Sequence, residues 1–199
     1  MSEETKQPEE EKLSDGDALK VDMYFWLQAL VMALVSLILV FTFVGRIIQV
    51  DGPSMLPTLH NADLLLLQSL GYEPKQGDVV VLAKKSFENG QPIVKRVIAV
   101  AGQSVKIDYE NDTVTVDGKV LNEPYINQQD LQHRDELSLN EAVVPEGCIF
   151  VLGDNRNNSR DSRYPEIGIV DTRSVLGGVK FIIMPFQDIG PVESISKTR

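Results

Sequence analysis

The chain has 199 residues, 43% of them hydrophobic and 24% charged, and a formal net charge of −10. That length leaves room for one membrane segment and one domain of ordinary size, and excludes two large domains. The acidic balance speaks against a nucleic-acid partner, which needs clustered lysine and arginine, and the single cysteine, Cys148, excludes an intrachain disulfide or a CxxC metal site.

In chain order, residues 1–23 form an acidic tail in which eight Asp and Glu face three lysines. Such a balance predicts a disordered segment. Residues 24–45 then run 22 positions without a charge. As a helix they reach about 33 Å, enough to cross a hydrocarbon core of about 30 Å. A cleaved leader is the competing reading, but the run is longer than an h-region and Arg46-Ile47-Ile48 offers no small-residue cleavage site. Three lysines precede the span and only Arg46 follows closely, so the basic excess places the N-terminus in the cytoplasm and residues 46–199 outside.

Just beyond the span lies Gly52-Pro53-Ser54-Met55-Leu56-Pro57-Thr58-Leu59. Two prolines fix the backbone and remove two amide donors, which sets Ser54 on a stiff turn where a hydroxyl can face outward. A serine nucleophile needs a base. The two histidines are poor candidates: His60 lies in a polar turn, and His133 in a charge-rich stretch with no carboxylate spacing that marks a triad.

From Arg46 onward short apolar runs alternate with turn signals. Strands are predicted at 46–50, 63–68, 78–83, 93–100, 104–109, 113–116, 119–121, 148–152 and 175–183. Val116-Asp117-Gly118-Lys119 reads as a type I′ hairpin, and Gly77-Asp78 and Gly102-Gln103 as further turns. The pattern predicts a mostly β domain of mixed or antiparallel sheets behind a single transmembrane helix, with a polar loop or insertion at 122–140. Within strand 93–100, alternation puts Lys95 on one face with Ile93 and Val97, and Arg96 on the other with Val94 and Ile98. Lys95 is therefore either a snorkelling edge lysine or a buried amine neutral enough to act as a base. Cys148 reads as a small core residue.

One loop remains, Gly153-Asp154-Asn155-Arg156-Asn157-Asn158-Ser159-Arg160-Asp161-Ser162-Arg163. No start within it places glycine at the sixth position of a calcium loop, and three arginines against two aspartates oppose a cation cage. No metal and no cofactor is expected. What remains is a dense hydrogen-bonding loop in which Asp161 can pair with Arg163.

Together these segments resemble the bacterial type I signal peptidases, membrane-anchored Ser/Lys serine proteases that remove signal peptides from secreted preproteins. The run 52–59 resembles the family's nucleophile box, Val94-Lys95-Arg96-Val97 its general-base box, and 153–163 its most diagnostic box, with Gly77-Asp78-Val79-Val80 a fourth. The resemblance implies Ser54 as nucleophile, Lys95 as general base, Ser159 as the serine that orients the lysine amine, and Asp161 with Arg163 as a structural ion pair. Gly52 stands where some Gram-negative members have a serine, so the backbone amides of Ser54 and Gly52 are expected to form the oxyanion hole. Met55, Leu56 and Ile93 are expected to meet substrate or membrane. The expected partners are secretory preproteins, cut after small residues, and the lipid bilayer. The short chain with one span is similar to the compact Gram-positive type. An anchored β-domain that binds without catalysis is the alternative from another class.

Overall fold

The structure, a computed structural model, describes residues 15–43, 45–83, 90–126 and 139–192. It divides into a helical unit and a β unit. In the first, α1 spans Asp15–Phe43 and contains one stretch, Leu19–Leu39, long and apolar enough to cross a membrane. Within that stretch Trp26, Leu30 and Ile38 are exposed. The helix starts at Asp15, upstream of the uncharged run that hydropathy marks from Tyr24, and so takes in residues expected to belong to the tail.

The β unit is antiparallel throughout its paired strands. Strands β1 (Gly45–Gln49), β2 (Leu64–Gln68), β3 (Val79–Leu82), β4 (Ile93–Val100), β9 (Cys148–Leu152), β10 (Val170–Asp171) and β11 (Val175–Met184) form a sheet in the order β1-β2-β11-β3-β4-β9-β10, and β12 (Gly190–Pro191) pairs with β11. A second sheet runs β7-β6-β5-β8, from Lys119–Val120, Thr113–Val116, Ser104–Asp108 and Glu141–Val143. The two inner strands of this sheet, β5 and β6, alternate buried residues with exposed or half-buried ones, as a sheet with one wet face should. Strand β4 is different. It lies between β3 and β9 and buries every residue from Ile93 to Ala99, Lys95 and Arg96 included.

Alternation splits β4 as its pattern predicts up to a register shift between Val97 and Ala99: Ile93 and Val97 join one apolar cluster, Val94 another. Past the shift, Ile98 and Ala99 both pack into a third cluster with Val105, Val114 and Phe150. The hairpin forms at Asp117 and Gly118, whose φ of 52° and 75° are those a type I′ turn requires. Cys148 is half-buried against the third cluster. Strands β8, β10 and β12, two or three residues each, were not predicted, being too short to show a period. Most of the polar stretch 122–140 lies outside the described residues.

Candidate active site

The turn that carries Ser54 sits in the loop between β1 and β2, which is pinched at its base. Val50 N–H donates to Asp63 O at 2.8 Å and Ala62 N–H to Val50 O at 2.9 Å. Met55 and Leu59, 1% and 0% exposed, plug the loop into the core beside Val50, Leu65 and Val81. Apolar burial on one side and proline stiffness on the other leave Ser54 partly exposed at the turn.

Strand β4 brings the amine. Lys95 is 3% exposed, and its Nζ donates to Ser54 Oγ at 2.9 Å and to Val94 O at 2.8 Å. An amine held there has given up bulk water, which disfavours its charged form. The lysine is thus a buried side chain and not a snorkelling one.

The third part is the loop 153–163 that leaves β9. Gly153 passes so close to the Ser54 turn and to Ser159 of its own loop that a Cβ built on it would lie 2.6 Å from Ser54 O and 2.5 Å from Ser159 Cβ. Only glycine permits this approach. Asn155 then clamps the nucleophile turn: its N–H donates to Ser54 O at 3.0 Å and its Nδ2 to Pro53 O at 3.1 Å.

Beneath the loop lie three arginine–carboxylate pairs. Asp161 takes two bonds from Arg163, Nε to Oδ1 at 2.8 Å and Nη2 to Oδ2 at 2.9 Å. Burial opposes the charge on Asp161, but Arg163 and the Gly153 N–H overcome it and hold the carboxyl below the ordinary aspartate range. Arg96 pairs with Asp154 through two bonds of 2.8 and 2.7 Å, donates to Gly77 O, and lies 4.1 Å from the centroid of the Tyr125 ring. Arg156 pairs with Glu123 at 2.9 and 2.6 Å, and Tyr125 donates to the same carboxylate at 2.8 Å. Burial and then the Glu123 charge push the Tyr125 phenol up, so it stays a donor. Buried charges cost too much unless paired, and here bidentate geometry supplies the pairing. These pairs lock the loop from below.

Several expectations need correction. Ser159 is brought to the same wall, where its Oγ is buried close to the Asp161 carboxylate, yet it makes no hydrogen bond to the lysine. The amine donates to the Val94 carbonyl. Gly52, at φ 88°, spends its N–H on Asn61 Oδ1 at 2.9 Å and so is not aimed at an oxyanion. The Ser54 N–H has no acceptor among the described residues. Met55 is a core plug with no outward surface, because it fills the space beneath its own turn, and Leu56 is half-buried beside it. Of the three residues expected to meet substrate or membrane, only Ile93 lines the cavity at Ser54. His60 does not line it, and His133 lies outside the described residues. Sequence reasoning missed Asn155, Glu123 and the Arg96–Asp154 pair. The one available signal was Arg96 itself, a second charge beside Lys95 in an apolar strand.

A family model described as signal peptidase, peptidase S26, matches residues 23–184. The chain belongs to the signal peptidase family. It is 34% identical over 185 residues to signal peptidase I of Bacillus licheniformis, covering 85% of this chain and 93% of that one. It is 32% identical over 187 residues to signal peptidase IB of Staphylococcus aureus, covering 85% and 94%. A crystal structure of a signal peptidase I from Enterococcus faecalis aligns at 35% identity and a TM-score of 0.44, over 54% of this chain and 97% of that one.

In this signal peptidase a cavity of about 750 Å³ opens at Ser54 and Lys95. Two extended stretches, 48–52 and 91–95, line it, with Ser159 and Tyr164 behind. Ile48, Val50 and Ile93 are apolar members of its lining.

Proposed function

We propose that Ser54 and Lys95 carry out the endopeptidase reaction of this signal peptidase, which removes signal peptides from preproteins. The observation that carries the reading is the 2.9 Å contact between Lys95 Nζ and Ser54 Oγ, two groups 41 residues apart in the chain, with the lysine buried. A neutral Nζ accepts the Ser54 proton as Oγ attacks the scissile carbonyl. The Ser54 N–H meets the resulting oxyanion. Collapse expels the new amino terminus, which takes the proton from Lys95 Nζ and leaves an ester on Ser54. Water, deprotonated by the same amine, hydrolyses that ester.

The preprotein lies extended between stretches 48–52 and 91–95, and its residues at the first and third positions before the cut are small. Helix α1 anchors the chain in the bilayer with its N-terminus cytoplasmic, as the distribution of lysines favours. The test is cleavage of a preprotein by Ser54→Ala and Lys95→Ala, with circular dichroism confirming that both fold. Each is expected to lose at least about a thousandfold in kcat, consistent with loss of a nucleophile or its base. Cleavage surviving in both would leave an anchored binding domain as the better account.

A further inference from the structure

We propose that His60, Asp63 and Asp188 form a binding site for a divalent transition metal of the zinc class, separate from the catalytic cavity. One ligand atom from each lies within 4.8 Å of the other two. None of the three residues lines the cavity at Ser54.

Asp63 points to the ligand. It is 1% exposed, yet it pairs with no arginine or lysine among the described residues, and its side chain accepts one bond, from His60 N–H at 2.8 Å. Other buried carboxylates of this domain are compensated more fully. Asp154 and Asp161 each hold an arginine, and Asp78 accepts from the Tyr72 hydroxyl and the Lys75 N–H. A buried carboxylate with one amide donor is short of compensation, and a second carboxylate beside it adds repulsion. An ion between them removes both costs.

The donor set decides the class of ion. One imidazole nitrogen and two carboxylate oxygens, with room for water, suit zinc and its neighbours better than calcium or magnesium, which favour oxygen alone. Zinc holds such ligands at about 2.0–2.2 Å, so two of them lie at most about 4.4 Å apart, and the cluster has only to draw together slightly to close on an ion. His60 and Asp188 are exposed, which gives the ion an entry path from solvent.

Sequence spacing hides this site because its parts are far apart in the chain. Antiparallel pairing sets Met184 of β11 against Leu64 of β2, and that register carries the turn at 186–188 to the end of the loop that bears Ser54. A bound ion would tie these two segments together. It would stabilise the loop without entering the reaction.

The experiment uses the full chain in detergent micelles, stripped with a chelator and titrated with zinc chloride by calorimetry and thermal unfolding. The parent is expected to bind one equivalent and to melt higher with zinc. His60→Ala and Asp188→Asn are expected to weaken binding at least about tenfold and to lose the thermal gain. Cys148→Ser and His133→Ala, which remove the cysteine and the other histidine, are expected to bind as the parent does. Absence of saturable zinc binding, or binding that survives in both His60→Ala and Asp188→Asn, would overturn the proposal.

Discussion

Asn155 N–H donates to the carbonyl of Ser54 at 3.0 Å, so the loop after β9 holds the peptide that follows the nucleophile. The side chain adds a second hold through Nδ2 on Pro53 O. Asn155→Ala removes only the second, worth about 1 kcal/mol, or about fivefold in kcat if the loss falls on the placement of Ser54. Asn155→Asp should be worse than alanine, because a carboxylate cannot donate and faces a carbonyl. Preprotein cleavage and thermal midpoints for both variants check this; an aspartate variant as active as the alanine one would show that the side chain does not position the turn.

The pH profile should report the amine. Protonated Lys95 cannot accept the Ser54 proton, so kcat/KM is expected to rise with pH, on an acidic limb well above that of a carboxylate enzyme. Lys95→Arg keeps the length and charge but cannot lose its proton, and should be inactive across the range. A profile flat down to about pH 5 would point to another base.

Gly153 should tolerate no side chain. A Cβ there meets Ser54 O at 2.6 Å and the Ser159 side chain closer still, so Gly153→Ala must shift the nucleophile turn or the loop against it. A displacement approaching 1 Å costs on the order of a hundredfold in rate. Gly52→Ala makes a useful contrast. No atom lies within 4 Å of its added Cβ, and its φ of 88° strains the loop, so the loss should appear in stability by about 1–2 kcal/mol more than in rate. Steady-state kinetics and melting of the two variants separate the cases.

Long apolar runs were legible in the sequence: strands 93–100, 113–116 and 148–152 begin and end where the alternation and turn signals place them. Helix α1 begins earlier than hydropathy shows because polar residues such as Asp15 and Lys20 continue a helix without adding an apolar signal. Ser54 and Lys95 were readable through their motifs, but their contact depends on β1, β3 and β4 lying in one sheet. Glu123 had no readable sign. A carboxylate in a polar stretch looks solvated until the fold sets Arg156 against it. Gly52 misled for a similar reason, since the acceptor that claims its N–H, Asn61, lies across the loop.

The Asp161–Arg163 pair predicts how stability should respond to acid. The folded carboxyl titrates below the unfolded value of about 3.9, held there against burial by Arg163 and the Gly153 N–H. A depressed folded value means the contribution is fully present above the unfolded value and is lost as pH falls through the folded one. Asp161→Asn leaves Arg163 buried without its carboxylate, at a cost of about 3–5 kcal/mol. Arg163 also donates to Arg156 O at 2.6 Å, so the whole loop loosens and activity should fall with stability. Urea unfolding of the full chain in micelles should therefore show a parent-to-variant gap that is constant from pH 7 to 5 and narrows only below about pH 4. A gap that shrinks already between pH 7 and 5 would mean that a group titrating near neutrality, and not this carboxylate, holds the loop beneath Ser54.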